Sequence, residues 1–210
     1  MAEAMTYDSL ISDVQIYAER SDVPFVSQIP RFLMMAENRI ALEIKALGFL
    51  RVANMPLIAG TSIYQKPARW RETKSFSIGD TNGNKIFMKP RGFEYCAMYG
   101  TEVGSTGFPT YYSDMDYEHF YIARTPDAAY TSQVSYFERP EPLSEQNQTN
   151  WTTQYNPQLL LYATLLEAQP FLKRPERTQE FQAMYDRVAG AIMQEDNVKT
   201  TDNSVVRSNV

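Results

Sequence analysis

The chain contains little of the material from which most catalytic and metal sites are built. Among its 210 residues there is one cysteine, Cys96, and one histidine, His119. A single cysteine excludes an internal disulfide and any zinc site built from cysteines, and a single histidine excludes a metal site that needs two. We therefore predict no cofactor and no bound metal, and Cys96 is best explained as a small apolar residue of the core.

Long apolar runs are also absent. No stretch approaches the roughly 20 apolar residues that a membrane-spanning helix needs. The first nine residues, MAEAMTYDS, lack the basic region and the apolar run of a secretion signal. The net charge of -5 argues against bulk attraction to nucleic acid. We therefore predict no membrane association and no nucleic-acid binding that depends on overall charge.

The motifs that come nearest to a functional site are incomplete. The acidic run that starts at Asp114 resembles a calcium-binding loop, but it has His119 where that loop needs glycine and Thr125 where it needs glutamate. His119 and Asp116 could form an acid–base pair, yet no serine or cysteine motif supplies a nucleophile. The glycines are scattered at turns and form no phosphate-binding loop. The chain is therefore predicted not to be an enzyme.

Helices are predicted at both ends of the chain. Apolar residues recur at spacings of three and four over residues 6–20 and 30–47, and again over residues 156–192. In the last stretch Asn156 is placed to cap the first helix, and Pro170 and Pro175 bracket a short break. A connection this short predicts an antiparallel hairpin. Four helices with inward-facing apolar stripes predict a helical bundle.

Between these helices the periodicity changes to that of β-strands. Short extended runs rich in tyrosine and phenylalanine alternate with proline and glycine, and Asn82-Gly83 between two runs is typical of a hairpin turn. The final residues, VKTTDNSVVRSNV, are too polar to bury themselves. The predicted fold is therefore α+β: residues 1–48 and 150–197 form an antiparallel helical bundle, residues 49–149 a β-rich insertion, and residues 198–210 a flexible C-terminal tail.

Charges of opposite sign are separated along this insertion. The cations lie in its first half: Lys66, Arg69, Arg71, Lys74, Lys85, Lys89 and Arg91. Acidic residues follow, among them Glu94, Asp114, Asp116 and Glu118. The pattern fits two solvated faces, and it equally fits a contact between neighbouring copies in which the positive half of one meets the negative half of the next. A basic hairpin that binds nucleic acid is a third interpretation, which the acidic net charge disfavours.

The helical ends, taken together, resemble a known family. The segments near the start are RSD at residues 20–22, IPRF at 29–32 and AENRI at 36–40. Those near the end are Trp151, YNP at 155–157, LLLYA at 159–163, LEA at 166–168 and PFL at 170–172. In order and separation they resemble the head-to-tail adaptor, or connector, proteins of tailed bacteriophages, particularly the short-tailed type. The middle of the chain is largely outside this resemblance.

The resemblance implies a structural virion protein. Such adaptors are made in the bacterial host cytoplasm and assemble in the virion neck as a ring, usually dodecameric, beneath the portal protein. Double-stranded DNA passes through without sequence-specific binding. The helices form the ring, the β-rich insertion faces the tail (nozzle) or tail-fibre proteins, and the C-terminal tail docks on the portal. The portal-binding residues would then be Val198, Thr200, Asn203, Val205, Val206 and Arg207, with the valines as anchor if the tail adds as a strand.

One enzymatic alternative remains open. A carboxylate-dependent cell-wall hydrolase associated with a phage tail would need two carboxylates in a cleft, about 5 to 10 Å apart. Aspartate and glutamate are plentiful in this chain, but no sequence motif marks such a pair.

Overall fold

The protein has a mixed α+β fold, as predicted. The structure is a computed structural model, and it describes residues 4–79, 84–102 and 105–200. It divides into two compact units. The helical unit consists of Met1–Phe49 and Arg139–Val210, and the sheet unit consists of Leu50–Glu138.

Helices and strands follow one another along the chain in this order. The first half contains α1 (Tyr7–Ala18), α2 (Val23–Val26), α3 (Ile29–Glu43), a 3-10 turn (Leu47–Phe49), β1 (Leu50–Asn54), β2 (Ile63–Gln65), β3 (Trp70–Gly79), β4 (Lys85–Pro90) and α4 (Phe93–Glu102). The second half contains β5 (Thr106–Gly107), β6 (Tyr111–Asp114), β7 (His119–Ala123), β8 (Thr125–Pro126), β9 (Ser132–Glu138), α5 (Trp151–Tyr155), α6 (Pro157–Leu172) and α7 (Pro175–Thr200).

Side-chain caps begin two helices of the helical unit, α1 and α5. Thr6 begins α1 with a reciprocal capping box to Ser9, and Asn150 begins α5 by accepting hydrogen bonds from two backbone N–H groups. Asn156 occupies the N-cap position of α6, but its side chain makes no capping hydrogen bond, contrary to the prediction. The helix also continues through Pro170 to Leu172, so the break before α7 is shorter than the two prolines suggested.

Helix α6 forms the centre of the helical unit. It packs against α1, α3 and α7, and its buried residues lie on almost every side: Leu159, Leu160, Leu161, Ala163, Thr164, Leu165, Leu166, Ala168 and Gln169. The sequence predicted one apolar face for this helix. The structure instead buries it nearly all round, which is how a helix without a polar face behaves.

Contacts at the helix ends give the helix directions. Phe32 near the start of α3 packs on Phe171 at the end of α6, with ring centroids 5.7 Å apart. Helices α3 and α6 therefore run antiparallel. The Tyr185 hydroxyl donates to Glu43 at 2.6 Å, and Leu47 N–H donates to the Asp196 carboxylate at 2.7 Å. Glu43 ends α3 and Leu47 follows it, and their partners Tyr185 and Asp196 follow in the same order along α7. Helix α7 therefore runs in the same direction as α3.

The sheet unit is built on a curled seven-stranded sheet with the order β1-β9-β3-β4-β6-β7-β2. All neighbours are antiparallel except β4 and β6. The two edge strands, β1 and β2, follow each other directly in sequence. They are connected through Leu57, which pairs with Tyr130 in the segment between β8 and β9. Because the short segment between β1 and β2 has to reach from one edge of the sheet to the other, the sheet curls and brings its two edges closer together.

The inward face of this sheet forms the core of the unit. Phe76, Ile78, Phe120, Ile122 and Val134 are fully buried there. Helix α4 packs on β6 and β7. Helix α4 has ten residues and lies in a region that the sequence indicated to be rich in β-strands. The predicted Asn82-Gly83 turn lies outside the described residues.

The structure differs from the predicted end of the insertion and from the predicted start of the tail. Residues 139–149 were assigned to the insertion, but they belong to the helical unit. They are held there because Leu143 is buried and its N–H donates to Glu37, while Gln148 accepts a hydrogen bond from Tyr7 N–H. Helix α7 continues to Thr200, past the predicted start of the tail at Val198.

Candidate interaction surfaces

The predicted cation Lys66 is an internal residue of the sheet unit. Its side chain is only 2% exposed, and its ammonium group lies 2.8 Å from the Asp114 carboxylate. The ammonium also donates to the Asp116 carbonyl and lies 3.5 Å from the centroid of the Trp70 ring. Lys66 and Asp114 were both assigned to a contact between subunits. That assignment is wrong for Lys66, because its charge is paired within its own chain and surrounded by aromatic rings.

Two further predicted cations bind within the unit while staying partly accessible. The Arg69 guanidinium donates two hydrogen bonds to Glu138, at 2.6 and 3.0 Å, and remains 43% exposed. Lys85 donates to the Gln133 side chain at 2.7 Å. Arg71 is half-buried on β3, whereas Lys74, Lys89 and Arg91 are exposed. The accessible cations among those predicted therefore lie just before β3, on β3, on β4 and just after β4.

The predicted acidic residues cluster at the turn between β6 and β7. Asp116 organises this turn, since its carboxylate accepts hydrogen bonds from the backbone N–H groups of Glu118 and His119, each at 2.7 Å. The same carboxylate lies 3.0 Å from the His119 ring nitrogen. The backbone hydrogen bond from Glu118 and the contacts with His119 lower the pKa of Asp116.

These contacts give His119 a structural role, because its backbone N–H and its ring both bind the Asp116 carboxylate and hold the turn. The tip itself is open to solvent: Tyr117 is 74% exposed, and Asp114, Asp116 and Glu118 are all exposed. The turn therefore presents negative charge beside a large aromatic ring.

An aromatic surface lies beside the exposed cations, and the sequence analysis did not identify it. Tyr95 and Tyr99 of α4 stack on each other, and both meet Tyr111 of β6 edge-on. The Arg91 guanidinium lies 5.7 Å from the rings of Tyr95 and Tyr111. Glu94 is exposed on the same helix. The signal in the sequence is FEYCAMY at residues 93–99, whose aromatic residues recur at spacings of two and four.

Cys96 lies beneath this surface. It is fully buried, and its burial raises the pKa of the thiol. A buried thiol with a raised pKa packs as an apolar residue and reacts slowly.

The carboxyl group with the most perturbed environment is that of Glu37 on α3. The residue is 8% exposed, and burial raises its pKa to about 7. Its oxygens accept hydrogen bonds from Leu143 N–H at 3.1 Å and from the Asn150 side chain at 3.0 Å. Glu37 therefore holds the segment by which the chain returns to the helical unit. Among the described residues, no group of three or more His, Cys, Asp and Glu is arranged to hold a metal ion.

The predicted portal-binding residues fall into two sets. Val198 and Thr200 lie in the last turn of α7, where Val198 is 65% exposed and the Thr200 hydroxyl donates to the Asp196 carbonyl. Asn203, Val205, Val206 and Arg207 lie outside the described residues. Because α7 continues to Thr200, the predicted flexible tail can begin no earlier than residue 201.

Comparison with known proteins supplies a family. A family model described as SU10 adaptor protein matches residues 5–208, which includes both units. No curated protein matches the chain. Within the described part of the chain, none of the helices combines the length and the apolar content that a membrane crossing requires.

Proposed function

Because the chain belongs to the SU10 adaptor protein family of phage head–tail adaptors, we propose that it assembles as a ring in the virion neck, between the portal and the tail. The resemblance noted from the helical ends is thereby confirmed at the level of the family. The single observation that carries the proposal is the length of the match, which extends from residue 5 to residue 208 and is not confined to one unit. The protein is a structural component of the phage, as the family indicates.

In this proposal the two units have different tasks. The helices of the helical unit form an antiparallel bundle that builds the ring, with dodecameric symmetry, and the sheet unit is an insertion that faces the tail. The acidic net charge of -5 fits a ring through which double-stranded DNA passes without being held, because like charges keep the DNA backbone from binding.

The exposed charges of the sheet unit are candidates for contacts between neighbouring copies. Since Lys66 is buried, the predicted cations that are accessible are Arg69, Lys74, Lys85, Lys89 and Arg91, with Arg71 half-buried. The turn that contains Asp116 and Glu118 is the acidic counterpart. Ion pairs between exposed groups weaken with salt. Light scattering should therefore report smaller assemblies at high ionic strength than at low, and assembly that is indifferent to salt would contradict this contact.

The C-terminal residues are proposed to bind the portal. Ten residues follow the end of α7, and a segment that becomes ordered on a partner can cover a large surface at modest affinity, which a ring then multiplies.

The test is a truncation after Thr200, which removes residues 201–210 and leaves α7 complete. The truncated protein should keep the thermal midpoint of the full chain and lose co-sedimentation with portal particles. A truncation after Asn203 retains the start of the tail and removes Val205, Val206 and Arg207. Because the valines are the proposed anchor, this protein should also lose portal binding. Portal binding by the protein truncated after Thr200 would overturn the assignment of the tail.

A further inference from the structure

Helix α3 carries large apolar side chains on the side that faces away from its core. Phe32, Leu33 and Ile40 are buried against the unit. On the opposite side, Met35 is 41% exposed and Leu42 is 65% exposed. Met34 is exposed beside them, and Arg31 lies one turn earlier on the same side. Asn38 lies between Met35 and Leu42 on this side and is also exposed. Large apolar residues are unusual at solvent-facing helix positions, so this side is suited to a contact with another molecule.

Helix α7 has the complementary property on its own outward side. Phe181, Tyr185 and Ile192 are buried, whereas Ala183 and Gly190 are exposed on the other side of the helix. A Cβ added to Gly190 would meet no atom of the described residues within 4 Å. Glycine within a helix weakens it relative to alanine. Packing within the described chain therefore does not require a glycine at position 190, and the open space beside it leaves room for close approach of another chain.

The two sides match in spacing. Met35 and Leu42 are seven residues apart, and so are Ala183 and Gly190. Seven residues are about two helical turns, or roughly 10.5 Å. Two large apolar residues on α3 can therefore lie over two small residues on α7 at the same time.

The charges match in the same register. Arg31 precedes Met35 by one turn, and the exposed Glu180 precedes Ala183 by nearly one turn. A parallel arrangement places Arg31 over Gln179, next to the exposed Glu180, and an antiparallel arrangement places it over Gln194, next to the exposed Glu195. The direction of the two helices therefore decides between these arrangements. Within one chain α3 and α7 already run in the same direction, as the contacts Tyr185–Glu43 and Leu47–Asp196 indicate. A rotation about an axis along the helices keeps them parallel.

We propose that α3 of one copy docks on α7 of the next copy, with Met35 over Ala183, Leu42 over Gly190 and Arg31 beside Glu180. The contact joins two different surfaces of the chain, and such a heterologous contact closes into a ring when the rotation fits. This inference rests on the proposed ring and names the surfaces that hold the ring together.

Disulfide trapping tests the register. In a Cys96→Ala background, Leu42→Cys combined with Gly190→Cys should give covalent oligomers on mild oxidation, because disulfides need Cα atoms about 4.4 to 6.8 Å apart. Each single variant should give none. Leu42→Cys combined with Ala183→Cys is the matched control and represents the antiparallel register. Cross-linking of that pair in place of the first would overturn the proposed arrangement.

A second variant separates the contact from folding. Gly190→Leu places a large side chain where the described chain leaves open space, so the monomer should keep or raise its thermal midpoint while ring assembly is lost. Ala191→Leu is the matched control, because Ala191 is the next residue, is also exposed and points about 100° away around the helix. We expect Gly190→Leu to raise the protein concentration needed for assembly about tenfold or more, and Ala191→Leu to leave it unchanged.

The outcomes distinguish this contact from the ring itself. If Gly190→Leu forms normal rings, the contact between α3 and α7 is overturned and the proposed function stands. If the wild-type chain forms no oligomer at any attainable concentration or with portal particles, both are overturned.

Discussion

The buried carboxyl group of Glu37 predicts an unusual dependence of stability on pH. The group lies on α3, is almost inaccessible to solvent, and receives hydrogen bonds from Leu143 N–H and the Asn150 side chain. Burial raises its pKa from 4.5 to about 7, and the two hydrogen bonds lower it by less than burial raises it. The folded protein therefore holds the Glu37 proton more tightly than the unfolded chain does.

The sign and size of the effect follow from this difference. Below pH 4.5 the group is protonated in both states, and its raised pKa contributes fully to stability. As the pH rises through 7, the folded state has to carry a buried negative charge, and that contribution is lost. Since one pKa unit is worth about 1.36 kcal/mol, the free energy of unfolding should fall by about 3 kcal/mol between pH 4.5 and 8 on account of Glu37 alone.

The substitution Glu37→Gln tests this reasoning. The amide oxygen can accept the same hydrogen bonds and never becomes charged. The variant should therefore lack this loss and be more stable than the wild type at pH 8, by up to about 3 kcal/mol. At pH 4.5 the two proteins should be of similar stability.

Urea unfolding at several pH values measures the difference in the unit that contains Glu37. The chain has two tryptophans, Trp70 in the sheet unit and Trp151 in the helical unit. A Trp70→Phe background makes the fluorescence of Trp151 specific for the helical unit. Glu145→Gln, which replaces an exposed carboxyl of the returning segment, should keep the wild-type dependence. Parallel curves for the wild type and Glu37→Gln would refute the account of Glu37.

Three further predictions concern local packing. Lys66→Ala should destabilise the sheet unit by about 2 kcal/mol, because it removes a buried alkyl chain, a contact with the Trp70 ring and the partner of Asp114. The fluorescence of Trp70 in a Trp151→Phe background during urea unfolding measures this, and the exposed Lys74→Ala is the control. Gly48→Ala should lower the stability by about 1 to 3 kcal/mol, since its Cβ would overlap the Trp151 ring. Gly190→Ala should raise the stability by up to about 1 kcal/mol. Thermal denaturation should therefore show a lower midpoint for the first variant and a higher midpoint for the second. Asn150→Ala should cost about 1 to 2 kcal/mol, because it removes the cap of α5 and a hydrogen-bond donor to Glu37; an unchanged midpoint would contradict that role.

The helices could be predicted from the sequence because their signals are local. The spacing of Phe181, Tyr185 and Ile192 gives α7 its buried side, and Pro175 gives its start. The extent of α6 was harder to predict, since a proline inside a helix usually ends or kinks it, whereas α6 continues for two residues past the exposed Pro170. Helix α4 was underestimated because its residues are aromatic, which is equally typical of strands.

The candidate site was harder to predict because its pairings are distant in sequence. Nothing near Lys66 indicates that its partner is Asp114 or that Trp70 and Phe120 enclose it. A list of charges along the chain therefore counted Lys66 as a surface residue. In the same way, the sequence near Glu37 does not indicate that Leu143 and Asn150 donate hydrogen bonds to it. These hydrogen bonds hold residues 139–149 in the helical unit.

The central claim is that this chain forms a ring between the portal and the tail. Cryo-electron microscopy of the full-length protein mixed with portal particles tests it most directly. The account predicts a closed ring of density bound to the portal, with the helical units forming the ring wall and the C-terminal residues reaching the portal. Portal particles that remain bare at saturating protein, with the chain dispersed as single copies, would contradict it.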